Sequence, residues 1–323
     1  MQLVQFLIQR SAIAVPYRSN RNKDLQMDVL VTGGTGFIGE SLLRALLGAG
    51  HSVTVLSRTA PEGARGGIRY VRQLEQIGEG IDAIINLAGA SLAGKRWTAA
   101  YKQEIVSSRL DTTRAIERWV SGLSTPPAVM LSASAIGYYG AHKDALLTEA
   151  DPVGSGFSAA LCQDWEGVAE QAAAAGGMRL CRLRLGVVLD GGGGAYAQMA
   201  LPFRLGIANW VGEGSQWLSW IHRKDVIAAM LHLLSDEGCS GAFNLTAPEA
   251  VTSRGFCTAM RVQHRTMLAV PMPAPVMRLM VGEMADELLL SGQRVLPARL
   301  QEQGFAFSYP SIDSALAAIT ADS

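Results

Sequence analysis

Three glycines near the start of the chain are the residues whose spacing points most directly to a chemistry. Gly33, Gly36 and Gly39 follow an apolar run and lead straight into a helical pattern. A strand, a glycine turn and a helix in this order direct backbone N–H groups and the positive end of a helix dipole at an anion. Gly33 would allow the sharp turn, Gly36 the approach of a pyrophosphate, and Gly39 close packing of the helix. The pattern predicts a dinucleotide site rather than a tight turn in some other α/β domain.

The end of the second predicted strand indicates which dinucleotide this would be. An acidic residue about 20 residues beyond the glycines accepts a hydrogen bond from the ribose 2′-hydroxyl and repels a 2′-phosphate. Ser57 and Arg58 occupy this position instead. Arginine offers a planar fork of donors to a phosphate. The sequence therefore favours NADP(H) over NAD(H), the alternative being that Arg58 is a surface residue at a strand end.

Hydroxyl groups follow the fifth predicted strand, where a substrate would meet the cofactor. Tyr138 and Tyr139 are candidate proton donors. The two tyrosines fit equally well as residues that pack or shape the substrate pocket. Cys162 is predicted to be a buried small hydrophobe, because a lone cysteine on an amphipathic helix is most often that.

Strands alternate with helices through the first two thirds of the chain. Period-2 and buried apolar runs predict strands at 28–31, 51–56, 68–71, 82–86, 129–132 and 179–185 with 187–189. Helical periodicity covers 99–120 and 158–175 between them. This alternation predicts an α/β fold, a Rossmann-type doubly wound parallel sheet.

The pattern changes beyond the run Gly191–Gly194, which reads as a flexible loop. Residues 199–214 are apolar and irregular, and helical stretches are expected at 224–234, 284–290 and 312–319. We predict a core at 27–190, to which 215–246 return, and a smaller substrate lobe formed by 191–214 and 247–323. Residues 1–26 are predicted to lie outside the fold as an N-terminal extension, with a targeting arm as the alternative.

Net charge, cysteine content and the lengths of apolar runs limit the classes of partner that we expect. The 323 residues carry no net charge, which gives no basic face for nucleic acid. The four cysteines are scattered, which argues against zinc and disulfides and fits a reducing cytoplasm. No uncharged apolar run is long enough to span a bilayer. We therefore expect a small-molecule substrate, with no metal, nucleic acid or membrane partner, and leave the oligomeric state open.

Several motifs together resemble a known group of proteins. The segment 32–39, Asn86-Leu87-Ala88-Gly89 and Trp220-Ile221-His222-x-x-Asp225 resemble the extended and atypical short-chain dehydrogenase/reductases. The YfcH-like "epimerase family protein" branch is similar in further segments: Lys95-Arg96-Trp97, Ser108-Arg109-Leu110, Gly137-Tyr138-Tyr139-Gly140, Asp164-Trp165-Glu166, Arg184-x-Gly186-Val187, 201–206, Asn244-Leu245-x-Ala247-Pro248 and 293–297. The resemblance covers residues 27–318 and includes a C-terminal segment typical of the branch.

The resemblance implies further cofactor contacts. The turn formed by Gly33, Thr35, Gly36, Phe37, Ile38 and Gly39 would hold the pyrophosphate, and Ser57 with Arg58 the adenosine phosphate. Leu87, Ala88 and Gly89 would line the cofactor from the fourth strand. Glu104 and Arg109 are implied as additional contacts, and Val187 would lie beside the nicotinamide.

The chain departs from the usual reductase chemistry at one helix. Short-chain reductases use a serine, a tyrosine that acts as the acid, and a lysine four residues after the tyrosine. The resemblance makes Ser134 the candidate catalytic serine, but residues 161–166, where the tyrosine and lysine are expected, read LCQDWE. We expect an NADP(H)-dependent oxidoreductase acting on a small carbonyl or alcohol without that pair. A non-catalytic NADP(H)-sensing module and a nucleotide-sugar epimerase are the alternatives, and the epimerase is ranked below reduction because it relies on the same pair.

Overall fold

The computed structural model describes residues 26–59 and 63–321. The prediction for the N-terminal extension concerns residues that, apart from residue 26, lie outside this part of the chain. The strands are β1 (Asp28–Thr32), β2 (Ser52–Leu56), β3 (Gly63–Arg65), β4 (Ile68–Val71), β5 (Ala83–Asn86), β6 (Val129–Ala135), β7 (Leu146–Leu147), β8 (Arg179–Leu185), β9 (Val187–Asp190), β10 (Ile207–Val211), β11 (Trp217–Leu218), β12 (Trp220–His222), β13 (Gly241–Leu245), β14 (Val251–Thr252), β15 (Leu268–Met272) and β16 (Arg294–Val295). The helices are α1 (Gly39–Gly48), α2 (Ala99–Ser121), α3 (Phe157–Gly176), α4 (Gly194–Arg204), α5 (Arg223–Ser235), α6 (Ser253–Gln263), α7 (Ala274–Val281), α8 (Ala298–Glu302) and α9 (Ile312–Ala321).

The main sheet has eight strands in the order β13-β8-β6-β5-β1-β2-β4-β3. Its pairings are parallel, except that β3 runs antiparallel to β4 at the edge. The predicted α/β fold with a Rossmann-type doubly wound sheet is confirmed. The chain moves outward in one direction from β1 to β2 and β4, and in the other from β5 to β6, β8 and β13. The strand order therefore reverses between β1 and β5, the switch point where such sheets bind ligands.

Both faces of the sheet are covered, which explains why its central strands are apolar without alternation. Val29 and Val31 of β1 pack with α1 and α5 on one face, whereas Leu30 packs with α2 and α3 on the other. All three side chains are fully buried. The short apolar run in the sequence is thus a strand that helices cover on both faces.

The later part of the chain contributes to four two-stranded sheets that are separate from the main sheet. Here the sequence-based prediction for residues 199–214 was wrong: they form the end of α4 and the strand β10, rather than irregular chain. β10 pairs in parallel with β15, whose first residue lies about 60 positions later. A local sequence pattern cannot predict a partner strand this far away in the chain. Likewise, β9 does not extend the main sheet but pairs with β12.

The C-terminal region differs from the prediction in one further place. The helix predicted at 284–290 is a short π-helical turn, Ala285–Leu289, preceded by α7. Beyond it, β16 pairs with β7, and Leu300 and Phe305 pack in the core beneath the main sheet. The domain boundaries stay a prediction. None of the helices within residues 26–59 and 63–321 is long and apolar enough to cross a membrane.

Candidate functional site

The glycine turn lies at the switch point and has no room for side chains. Gly33 has φ +68°, and a Cβ there would lie 2.5 Å from the carbonyl oxygen of Leu87. A Cβ on Gly39 would lie 2.3 Å from the carbonyl oxygen of Gly33. Both neighbours are backbone atoms and cannot swing aside. The two glycines are therefore required by the turn itself, and the resulting cradle is shaped by backbone.

The helix that follows this turn is open at its N-terminus. No side chain caps α1, whose N-cap residue is Ile38. The amide of Gly36 donates to the carbonyl oxygen of Gly33 (3.0 Å), which closes the turn. An uncapped helix start with the dipole behind it favours an anion. The cradle therefore fits the pyrophosphate of a dinucleotide.

Two further predicted segments meet the turn. Leu87 donates its backbone N–H to Thr32 (3.1 Å), so the chain after β5 runs directly beside the chain after β1. Ser57 and Arg58 follow the neighbouring strand β2; Ser57 is buried and Arg58 is exposed. Parallel strands bring their carboxyl ends to one edge, and the structure brings these three segments together there.

Arg109 is held beneath the loop after β5. It donates to the carbonyl oxygens of Ala90 (3.1 Å) and Ile105 (2.9 Å), and its guanidinium lies 5.1 Å from the ring centroid of Trp165. Burial lowers the pKa of Arg109, and no carboxylate in the described residues forms an ion pair with it. A Cβ on Gly89 would lie 2.9 Å from this guanidinium. Arg109 thus supports the loop at Gly89 and carries an uncompensated charge there.

Glu104 and Val187 lie at the periphery of this arrangement. Glu104 is exposed and forms an ion pair with Lys95 (3.0 Å). Val187 is half-buried and begins β9, where its N–H donates to Ser219 (2.9 Å). Their roles as cofactor contacts stay predictions.

The candidate catalytic hydroxyls belong to a buried polar network. Ser134 donates to Glu166 Oε1 (2.7 Å), and Arg184 grips the same carboxylate with Nε and Nη2, both at 2.9 Å. Arg184 Nη1 donates to the Tyr139 hydroxyl (2.9 Å). That hydroxyl in turn donates to Asn244 Oδ1 (2.7 Å). Ser134 and Tyr139 are therefore both engaged in holding the network together.

Electrostatics reinforce this arrangement. Burial would lower the pKa of Arg184, but the hydrogen bonds and charge of Glu166 outweigh it and raise that pKa. Burial raises the pKa of Tyr139 to about 12. A phenol this reluctant to ionise and this fully enclosed is a poor proton donor to a substrate. Tyr138 differs, since it is half-buried and its ring centroid lies 3.5 Å from the Arg184 guanidinium carbon.

The same network explains why α3 lacks the tyrosine and the lysine of short-chain reductases. Cys162 and Glu166 stand four residues apart on α3, with Cys162 buried beneath Gly137. Burial raises the pKa of the Cys162 thiol to about 11. The prediction that Cys162 is a buried small side chain is confirmed. Glu166 serves as the counter-ion of Arg184. The missing tyrosine and lysine are thus replaced by a packed thiol and a structural carboxylate.

Sequence reasoning did not connect these residues, although it had singled out the motifs that contain them. Tyr139, Glu166, Arg184 and Asn244 come from four separate segments, and Asn244 Nδ2 donates to the carbonyl oxygen of Leu296 (2.9 Å). The motifs therefore meet at one point between the sheet and the C-terminal segment. The opposite charges of Glu166 and Arg184 are the signal that could have connected their motifs, because buried opposite charges pair with each other.

One cluster has the residue types of a metal site. His232, Asp236 and Cys239 place ligand atoms within 4.8 Å of one another at the end of α5. Arg179 donates to the carbonyl oxygen of Cys239 (2.6 Å), and its positive charge disfavours a cation. Burial also raises the pKa of the Cys239 thiol to about 11, against the thiolate that a metal requires.

A doubly wound parallel sheet with a glycine turn at its switch point defines a Rossmann-type fold of the short-chain dehydrogenase/reductase class. The chain belongs to the NAD dependent epimerase/dehydratase family, whose model matches residues 29–246. Residues 272–319 match a second model, a domain of unknown function named DUF1731. The resemblance and the C-terminal segment deduced from the sequence are confirmed.

Individual relatives support this membership over nearly the whole chain. An epimerase family protein of Mycobacterium bovis is 36% identical over 295 residues, covering 89% of this chain and 96% of the relative. YfhF of Bacillus subtilis, also named an epimerase family protein, is 37% identical over 304 residues, covering 92% and 99%. The crystal structure of human epimerase family protein SDR39U1 with NADPH is similar with a TM-score of 0.83 and 32% identity, covering 92% of this chain and all of the human chain (100%).

Proposed function

We propose that the chain binds NADP(H) at the switch point and acts there as an oxidoreductase on a small carbonyl or alcohol. One observation carries the proposal: the backbone cradle of Gly33 and Gly39 opens beside the uncapped start of α1. Arg58, with no acidic residue at the same strand end, adds the preference for a 2′-phosphate. The human relative crystallised with NADPH supports this choice.

In this proposal each segment at the switch point has a separate task. Backbone N–H groups of Thr35, Phe37 and Ile38 face the pyrophosphate with the α1 dipole behind them. Ser57 and Arg58 hold the adenosine phosphate, and the 87–89 segment lines the opposite wall. Arg109 gives positive charge under that wall, and Val187 shields the nicotinamide end. Glu104, paired with Lys95, takes part only at the rim.

The bound nicotinamide would supply or accept the hydride, and the chain must deliver the proton. Of the three candidate hydroxyls, Ser134 and Tyr139 are committed to Glu166 and Asn244. We assign the proton to Tyr138, which is half-buried and stacked on Arg184. Ser134 and Tyr139 act as positioning residues, because they orient the carboxylate and guanidinium that support the Tyr138 ring.

Calorimetric titration with NADPH and NADH tests the cofactor proposal. Arg58→Ala should weaken NADPH binding about 10- to 100-fold, because a charge-assisted contact to the 2′-phosphate is lost, and leave NADH binding unchanged. Arg65→Ala, also an exposed arginine near the edge of the sheet, serves as the control. An Arg58→Asp variant that keeps its preference for NADPH contradicts the proposal.

A second candidate is favoured by the closed polar network. Because Glu166 replaces the usual lysine and neutralises Arg184, the chain can be a sensor that binds NADP(H) without turnover. NADPH oxidation against a panel of carbonyl compounds separates the two: turnover that falls in Tyr138→Phe supports the reductase. Tight binding without turnover, together with a partner interaction that differs between NADPH and NADP⁺, supports the sensor. The nucleotide-sugar epimerase ranks third because its chemistry uses the missing pair.

A further inference from the structure

A second concave region lies beside the glycine turn, to which it is joined by Arg223, a donor to the carbonyl oxygen of Phe37. It is a cleft of about 730 Å³ between α1, α4, α5 and α9. None of the residues at the turn, at the end of β2 or in the 87–89 segment lines it. Its volume is that of a site for a small molecule. The side chains and backbone that line it are Ser41, Arg44, Asp190, Gly191, Gly192, Arg204, His222, Arg223, Lys224, Ile227 and Ile319.

The charge of this cleft is unlike that of the whole molecule. Four cationic side chains line it, whereas the chain carries no net charge. Among the described residues that line the cleft, Asp190 is the one carboxylate, and it is already used: it accepts from Arg223 Nη2 (2.8 Å) and from the amide of Gly192 (2.7 Å). Within the described residues, Arg44 and Arg204 form no ion pair. Arg44 has only a long hydrogen bond to Ser41 (3.3 Å).

Ordinary helix electrostatics explain only one of these cations. Arg204 lies in the last turn of α4, where the dipole favours positive charge. Arg223 and Lys224 lie in the first turn of α5, where the dipole disfavours it. Arg44 projects from the middle of α1. Arg223 is nevertheless satisfied by Asp190, and Lys224 lies 5.9 Å from the ring centroid of Tyr309. The positive charge that remains for an anion is therefore that of Arg44 and Arg204.

We propose that this cleft binds a small multiply charged anion of phosphate chemistry, with Arg44 and Arg204 as its principal donors. Guanidinium groups present paired N–H donors that match phosphate oxygens. They come from two different helices, and Ile227 and Ile319 add apolar surface to the lining. Arg223 takes a supporting place, since it is committed to Asp190 and to the carbonyl oxygen of Phe37 (3.1 Å).

Calorimetry with inorganic pyrophosphate as the probe tests this site on the full chain. NADPH is present in excess to occupy the cofactor cleft, and comparison of variants localises the probe whether or not NADPH binds. We expect the double variant Arg44→Ala/Arg204→Ala to bind pyrophosphate at least about tenfold more weakly than the wild type. Arg114→Ala/Arg118→Ala, which removes two exposed arginines of α2, is the matched control and should bind as the wild type does.

The proposal is overturned if pyrophosphate does not bind to the wild-type chain, if binding is unchanged in the Arg44/Arg204 variant, or if the α2 control loses binding equally. Binding of long polyphosphate but not of pyrophosphate also overturns it, because the site would then be a surface for a macromolecule. Arg44 and Arg204 are exposed, so thermal unfolding of the variants should match that of the wild type and exclude loss of fold.

Discussion

At the scale of single residues, the pair formed by Glu166 and Arg184 governs the catalytic candidates. Both side chains are almost fully buried, with exposures of 4% and 3%. Each charge is therefore tolerated chiefly because the other is present, with Arg182 Nη1 a further 3.5 Å neighbour of Glu166. Ser134 and Tyr139 complete the hydrogen bonding of the pair, and the tyrosine beside them, Tyr138, stacks on its outer face. Of the three candidate hydroxyls, that of Tyr138 is the one outside this network.

Removing one charge of this pair should cost much of the stability. We expect Glu166→Gln to lower the free energy of unfolding by about 3–5 kcal/mol, because Arg184 is left buried without its counter-ion. Urea denaturation measures the change. Glu170→Gln, which removes an exposed carboxylate paired with Arg182, should change it by less than about 1 kcal/mol. A small effect of Glu166→Gln would show that water reaches the pair.

Tyr139 makes a prediction about alkaline pH. Its pKa is raised by burial to about 12, whereas an unfolded tyrosine ionises near 10. Between these values the unfolded chain loses a proton that the folded chain keeps, so stability falls as the pH rises through this window. In a phenolate absorbance titration, Tyr139→Phe should remove a late-ionising phenol and leave the earlier ones. Loss of an early component instead would place Tyr139 in contact with solvent.

At the scale of elements, α1 and the turn before it form the unit that makes the site. The helix packs on the sheet through Leu42, Leu43 and Leu46, and its start is set by contacts between glycine backbones. Because those contacts involve carbonyl oxygens, a methyl group cannot be absorbed by a change of rotamer. The position of the helix and the shape of the cradle depend on the same atoms.

Two glycines of α1 should respond in opposite ways. Gly39→Ala places a methyl group 2.3 Å from the Gly33 carbonyl oxygen. We expect a loss of about 1–3 kcal/mol in stability, together with loss of NADPH binding. The methyl group added by Gly48→Ala meets no atom within 4 Å. This variant should raise the free energy of unfolding by about 0.5 kcal/mol, because alanine restricts the conformations of the unfolded chain. Thermal unfolding and calorimetry measure both. Equal behaviour of the two variants would contradict the steric account.

At the scale of the whole molecule, the C-terminal segment is joined to the core. Leu300 and Phe305 pack beneath the main sheet, and the carbonyl oxygen of Leu296 accepts from Asn244 of β13. Separate from these, α6 and α9 share a core with α4. We predict that the cluster of α4, α6 and α9 belongs to a small lobe. Because the chain returns from this cluster to the main sheet, the two parts should unfold together.

Thiol labelling can test this joint unfolding, because the four cysteines are buried in different places. Cys181 and Cys239 lie in the core of the main sheet, whereas Cys257 lies in the small-lobe core. Burial raises the pKa of all three thiols, which suppresses reaction in the folded state. We expect mass spectrometry to find them labelled over the same range of urea concentration. Labelling of Cys257 at lower urea would show that the lobe unfolds alone.

The sequence by itself determined the parallel sheet and the glycine turn. Both rest on local rules: the buried run before Gly33, the spacing of Gly36 and Gly39, and the helical period after them. It also located the motifs that carry Tyr139, Glu166, Arg184 and Asn244, though as separate segments. The sequence did not predict the pairing of β10 with β15, because the partner strand is distant in the chain.

Only the tertiary structure decided what the motif residues do. In the sequence, Glu166 and Arg184 are members of two separate motifs, and only the buried ion pair between them shows that each stabilises the other. The same folding gathers Arg44 and Arg204 from distant helices into one cleft. Local patterns specify where the backbone turns. Which side chains share a site depends on contacts between residues far apart in the chain, and these exist only once the sheet and helices have packed.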